Sequence, residues 1–307
     1  MRRWSALLFT TILGCWIGLA VPGIAPASST VQEPSTTLRW KFRKGETFRY
    51  ELRRKSTIQS RDASKPLTVV NEVAVTLLWT VESVGEDGSA VLRQTIEAAR
   101  AAIEAGNLNL RFDSKKGSDQ EASPNALATL YRAAQAHDGE LTIDSRGRIL
   151  AIVIPDEVTR SLRGSPFQAT ADGGSVFTER GMRSLLGPHL PLLPEAAVSQ
   201  RSRWEEPLAL PMGLIDLIHR SRLTVKSVES ATATLDVVVS HEVTAAKGAL
   251  LKATLDEGSG SGTIRFDVEA GRLRSSSQTQ KLAITLGIDR STIPQSVLIE
   301  SSMTLVP

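Results

Sequence analysis

Leu67 to Val84, LTVVNEVAVTLLWTVESV, decides the fold. Leu67, Val69, Val73, Val75, Leu77, Trp79 and Val81 share one side of a period-two alternation, and Thr68, Glu72, Thr76, Thr80 and Glu82 share the other. That is the pattern of a half-buried strand. At ~3.3 Å per residue it would run about 60 Å, far beyond an ordinary strand. Such a strand must bend, carry a bulge or wrap around something. The fold expected is therefore α+β and mainly β: a large curved antiparallel sheet, half-barrel-like, with about three short helices.

Working outward, Gly85-Glu86-Asp87-Gly88 punctuates a hairpin into Val91 to Ile96, and Phe48, Tyr50 and Leu52 alternate with Arg49, Glu51 and Arg53 before the long strand. Two further hairpins repeat one turn chemistry, Leu141–Asp144 into Arg148–Leu150 and Ile264–Asp267 into Arg272-Leu273, each with an Asp to satisfy turn amides and a Gly for positive φ. Ala98 to Gly106 (AARAAIEAG) has helical propensity, but it continues the alternation from Val91 and leads into Leu108 to Phe112, so we read it as strand. Helices are expected at Pro124 to Ala136 with Ser123 as cap, at Pro155 to Leu162 ending at Gly164, and at Thr178 to Leu186 before Gly187-Pro188. The proline-rich segment from Leu190 to Leu210 reads as an irregular crossing anchored by Trp204, and it could divide two lobes near 188–211. Strands follow at about 213–228, 232–244, 248–256, 261–268, 272–286 and 294–306. Gly258-Ser259-Gly260-Ser261-Gly262 between two of them reads as a flexible turn, since a nucleophile elbow needs serine where Gly260 stands.

The N-terminus has an address. Met1-Arg2-Arg3 precedes an apolar run from Trp4 to Ala20, and Ala25-Pro26-Ala27 has the small residues of a secretory cleavage site between Ala27 and Ser28. Residues 1–27 are thus expected to be a signal peptide, 28–37 a polar disordered lead-in, and 38–307 a single β-rich domain. The destination is periplasmic or extracellular. Two rival readings of the leader stay open: a lipobox at Ile12-Leu13-Gly14-Cys15, or an uncleaved anchor, since about 17 apolar residues can span a bilayer. Nothing beyond the leader is long and apolar enough for a second span.

Lys+Arg (36) against Asp+Glu (33) gives +3, and two of the positives, Arg2 and Arg3, sit in the leader. The remainder, 34 against 33, is too nearly neutral to hold a nucleic-acid backbone. The single cysteine, Cys15, also lies in the leader, which leaves the rest of the chain without thiol chemistry. No H-E-x-x-H, C-x-x-C, P-loop or S-x-x-K occurs, so no residue can be assigned as a catalytic nucleophile or base, and no cofactor or metal is implied.

One pair of side chains carries the site expectation. A hairpin centred on Ser230 sets Val225 opposite Leu235, Leu223 opposite Val237, and His219 opposite His241, all on the apolar face. Directly opposed Cβ atoms lie about 4.5–5.5 Å apart. Two imidazoles so placed could share a proton, bind a ligand headgroup or supply half a metal site; equally, each could be satisfied locally by backbone or water. Zinc would need more ligands than this face offers, where Ser221 is the one polar neighbour in view.

Leu38-Arg39-Trp40-Lys41-Phe42 followed by Lys44-Gly45-Glu46-Thr47-Phe48-Arg49-Tyr50 resembles the opening of an uncharacterised family of exported bacterial β-rich proteins: an apolar strand, a K-G-E/D-T turn, then a strand led by tyrosine. Phe112-Asp113-Ser114, the Leu141 to Ile152 hairpin and Leu192-Leu193-Pro194 through Trp204 fall in that family's order, although Gln200-Arg201-Ser202-Arg203-Trp204 lacks its usual glycine. The chain is similar, more weakly, to lipoprotein-carrier half-barrels, which implies an apolar cavity for a lipid or acyl chain. Function is then expected to be non-enzymatic: binding of an apolar or amphipathic ligand, or of a cell-envelope partner protein, on the concave face. The alternatives are a hydrolase with a dispersed site and a structural envelope component.

Overall fold

The computed structural model describes residues 35–60, 66–116, 126–163, 165, 176–212, 215–245, 251–288 and 291–307. The leader, Cys15, the cleavage site at Ala27 and Ser28, the Ser123 cap and Gly164 lie outside these residues. Among the described residues no helix is long and apolar enough to cross a membrane.

Twelve strands form one antiparallel sheet. The first meander comprises β1 (Thr47–Ser60), β2 (Leu67–Val84), β3 (Ala90–Ala105), β4 (Leu108–Asp113), β5 (Gly139–Ile143) and β6 (Ile149–Val153). The second comprises β7 (Arg203–Met212), β8 (Ile215–Glu229), β9 (Thr232–Ala245), β10 (Leu251–Asp267), β11 (Arg272–Ile288) and β12 (Ser291–Val306). Spatial order is β6-β5-β3-β2-β1-β12-β11-β10-β9-β8-β7, with β4 paired off β3, so the sheet stays open and its edges are β6 and β7. The expected fold class stands. The long strand 67–84 is continuous, and its pairing with β3 slips register at Thr76/Leu77 and Val81/Ser83, the bulges its length required. Ala98 to Ala105 is strand, as its position in the alternation indicated.

Three helices pack on the inner face: α1 (Ala126–Ala136), α2 (Asp156–Leu162) and α3 (Glu179–Leu186). Phe112 of β4 stacks on Tyr131 of α1 at 5.4 Å between ring centroids, and Phe177 meets Tyr131 edge-on at 4.9 Å. Thr178 caps α3 by accepting from the Gly181 N–H at 2.9 Å. A 3₁₀ turn, Gly187–His189, follows α3. Below the helices lies the main core, built on Tyr50, Leu77, Trp79, Leu92, Leu141, Leu223, Leu235, Phe266 and Met303.

Three expectations are corrected. The strands expected at 248–256 and 261–268, of which 248–250 lie outside the described residues, are one: Gly258 to Gly262 lies inside β10 and is no turn, because the alternate glycines allow close packing against β11. The crossing segment is irregular only as far as Ser202: Arg203–Met212 is a strand despite Pro207 and Pro211, which an edge strand tolerates on its unpaired side. Leu38 to Phe42 alternates but joins no strand of the sheet. It ties instead to turns, with the Trp40 N–H donating to the Ser145 carbonyl and the Lys41 N–H to the Gly271 carbonyl, while Leu38 and Trp40 bury in the core. At the end of the polar lead-in, Thr36 pairs with Val198.

Candidate functional site

The histidine register is as the hairpin arithmetic required. His219 pairs with His241, Leu223 with Val237 and Val225 with Leu235. The two imidazoles meet edge to face at 5.2 Å between centroids, and they are 1% and 7% exposed.

These histidines belong to a larger feature, a row of polar side chains running obliquely across the inner face. It runs from Ser221 and His219 on β8, through His241 on β9, Gln280, Gln278 and Ser276 on β11 and Ser301 on β12, to Arg54 on β1. Apolar residues flank it on both sides. Leu223, Val225, Val237 and Met303 belong to the main core, whereas Leu217, Leu282, Ile284 and Ile299 form a second cluster beyond the row.

The row is continuous because β10 is bare there. A Cβ on Gly260 would sit 3.0 Å from Gln280 Cγ, one on Gly262 2.7 Å from Gln278 Cγ, and one on Gly258 3.1 Å from His241 Cβ. Strands β9 and β11 are separated by two strand spacings of about 4.8 Å each. Their side chains meet over β10 because nothing projects from it. The expectation that Ser221 was the one polar neighbour is corrected accordingly: it counted adjacent strands, and the partner of His241 comes from the strand beyond.

The hydrogen bonds have a direction. The Pro188 carbonyl can only accept, so it takes Gln278 Nε2; Gln278 Oε1 accepts from Gln280 Nε2 at 3.3 Å; and Gln280 Oε1 faces His241 Nε2 at 3.1 Å. His241 must therefore carry its proton on Nε2, leaving a lone pair on Nδ1. His219 Nε2 contacts Ser221 Oγ at 2.8 Å. The Nδ1 atoms of His219 and His241 are both buried without a well-formed partner, although the Gly258 backbone lies beside His241. On the helical side His189 Nδ1 contacts Ser276 Oγ at 2.9 Å.

Burial keeps these rings neutral. It pulls His219 down to about 3, with the neighbouring His241 adding to the effect. His189 is also pulled down to about 3, by burial first and then by the charge of Arg54 and by His219. His241 is lowered too, by burial, against the opposing bonds to Gln280 and Gly258.

At its β8 end the row opens on a cavity of about 380 Å³. Apolar walls come from Leu208, Leu223, Val237, Ile264 and Leu190, and polar groups from Arg148, Arg183, Glu206, His219, Ser221 and Gln278. Glu206 accepts from the Leu192 N–H at 2.6 Å, and burial raises its carboxyl above the usual range. The cavity lies between the sheet's two edges, with Ile149 of β6 on one side and Leu208 of β7 on the other. A larger concavity of about 1540 Å³ lies on the opposite face. Its lining includes Thr76, Ala102, Ser277, Thr279 and Ser302, which point away from the core, and many of its charges are already in exposed ion pairs such as Lys55–Glu72 and Arg100–Asp113. It is a broad polar saddle, not an enclosed pocket. Among the described residues no group of three or more His, Cys, Asp or Glu is placed to hold a metal ion.

No protein-family model matches the chain, and no curated protein does. Among solved structures it is similar to one described as lipid–protein interactions in lipovitellin, with a TM-score of 0.52 and 11% identity over 87% of this chain and 26% of that one. DynF from the dynemicin biosynthesis pathway of Micromonospora chersina matches at 7% identity and TM-score 0.22, over 88% of this chain and 85% of that one. An outer-membrane channel from Pseudomonas putida F1 matches at 8% identity and TM-score 0.23, over 87% and 97%. Similarity this low in the last two carries no argument; the first establishes a likeness of fold alone, and this chain spans about a quarter of that protein's length.

Proposed function

We propose that the protein is exported, with its leader cleaved between Ala27 and Ser28, and that it binds an apolar or amphipathic small molecule in the cavity between the sheet edges. The observation that carries this reading is the composition of that cavity. Its volume of about 380 Å³ falls within the range of small-molecule sites, and it combines largely apolar walls with a limited set of polar and charged groups. His219 and Gln278 would orient a hydrogen-bonding headgroup while Leu208, Leu223 and Val237 cover its apolar part. The likeness to the lipovitellin structure is compatible with such a role.

The test is binding of an uncharged apolar dye, N-phenyl-1-naphthylamine, to the purified protein. Leu208→Trp, at the cavity's β7 wall, is expected to weaken binding at least tenfold with the circular dichroism unchanged. Failure of the wild type to bind, or equal binding by the variant, refutes the reading.

A second reading rests on Ser221 and His219, a hydroxyl and an imidazole in hydrogen-bond contact on a cavity wall, as a hydrolase would have them. Two features weigh against it. His219 Nδ1 lacks the carboxylate that would orient and support the base, and a ring held near 3 is a poor base at neutral pH. Labelling of Ser221 by a fluorophosphonate would favour the hydrolase over the binder.

A further inference from the structure

The polar row ends in its one charged member. Arg54 lies on the inner face of β1, between Leu52, which is buried in the main core, and Ser56. Its neighbours across the ladders are Ser301 and Val73, neither of them acidic. Its guanidinium has no hydrogen bond or ion pair among the described residues, whereas its outward neighbours on the same strand are paired: Arg53 with Glu51 and Lys55 with Glu72. The groups around it are neutral. It shares a cavity of about 20 Å³ with Ser184, His189, Gln280, Ser301, Pro188 and the aliphatic Leu52, Leu185 and Ile299. Burial pulls the guanidinium down to about 10, still charged at neutral pH, and its charge in turn helps keep His189 neutral.

Arg54 is half-buried, and a guanidinium placed among neutral groups without an ion partner is costly unless something compensates it. Water can fill the space, which is large enough for about one such particle, but water brings no opposite charge. Neutral His189 cannot act as the counter-ion. The hydroxyls of Ser184 and Ser301 can turn to donate, so the cavity combines one positive charge with rotatable O–H donors and no fixed negative group. That is the chemistry of a small-anion site, and its size excludes sulfate, phosphate or a bulky headgroup.

We propose that Arg54 binds one small anion of halide size in the cavity formed with Ser184, His189, Gln280 and Ser301. The site is separate from the cavity between the sheet edges, so it stands or falls independently of dye binding there. The anion acts as a structural counter-ion, holding β1 and β12 against the turn that follows α3.

The experiment is thermal unfolding of the purified protein at constant ionic strength while sodium gluconate is replaced by sodium chloride, with bromide and acetate in parallel. For the wild type, chloride at about ten times its Kd is expected to raise the midpoint by roughly 2 °C, bromide doing the same. Ser301→Ala is expected to shift the chloride dependence to higher concentration, and Arg54→Met to abolish it. Chloride-35 line broadening, displaced by bromide, reads binding directly on the wild type and needs no variant that folds. A response to acetate but not to halide would assign the site to the carboxylate of an organic molecule and overturn the halide. No line broadening and no midpoint shift in the wild type, or the same shift in Arg54→Met, would show that the cavity holds water only.

Discussion

Gly262→Ala tests the bare inner surface of β10. In a strand, replacing glycine by alanine ordinarily stabilises by about 0.4–1 kcal/mol, because the unfolded chain loses freedom. At Gly262 the added Cβ would collide with the backbone carbonyl of Ser277 on β11 and would sit 2.7 Å from Gln278 Cγ and 3.1 Å from Gln278 Cα. Only one of these three atoms can move without moving the main chain. Overpacking of that kind costs about 1–3 kcal/mol, so the net expectation is a loss of about 1–2 kcal/mol. For a chain of this size that lowers the melting temperature by roughly 2–3 °C. The matched control is Gly287→Ala on β11, whose nearest neighbour would be Lys252 Cβ at 3.6 Å, an ordinary contact. It is expected to be neutral or slightly stabilising. Urea denaturation of the two variants beside the wild type is the assay. If Gly262→Ala unfolds at the same urea concentration as Gly287→Ala, or later, the row does not need a bare strand beneath it.

Acid should loosen the fold through the buried histidines. His189 and His219 are held near 3 when folded, against about 6.5 unfolded, so the unfolded state takes up more protons between those values. Stability is then full above about 6.5 and declines as pH falls toward 3, each ring adding a slope of up to about 1.36 kcal/mol per pH unit. His219→Gln should remove one ring's share, measured as urea midpoints from pH 7 to pH 4; an unchanged slope would contradict the assignment. Tyr50→Phe deletes the buried hydroxyl that donates to the Leu273 carbonyl at 2.9 Å and should cost about 1 kcal/mol by the same method. Thr178→Ala removes the α3 cap and should cost about 1 kcal/mol, seen as faster amide exchange at Gly181.

The fold was legible in the sequence because its strands are long and their alternation is strict. Val73 through Val81 announces a buried face without help from any other segment, and two strands flanking Ser230 suffice to place His219 against His241. The site was less legible for reasons of geometry. Facing residues on adjacent strands can be paired from a turn, but Gln280 reaches His241 across an intervening strand, and that relation depends on the β10–β11 register. The usable signals were glycine at 258, 260 and 262 and glutamine at 278 and 280, each on one face. Read as a turn, the glycines hid the stripe. Arg54 was hidden in the run Arg53-Arg54-Lys55, where composition suggests a solvated patch and only strand parity separates the inward residue from its neighbours. Pro207 and Pro211 concealed β7, since its being an edge strand is a property of the whole sheet.

The seam between β1 and β12 has a consequence for how the chain is made. Strands β1 to β6 build one meander and β7 to β12 the other, and the ladder joining them runs from Arg49–Val306 to Ser60–Gln295. During synthesis β1 therefore waits for β12. Until the final strand is available, β1 keeps an open edge, Arg54 lacks its neighbour Ser301, and the halves of the sheet are not yet one body. Completion of the native sheet is deferred until β12 has been made. The export proposed above would benefit from that delay, because an exported chain is threaded before it is folded.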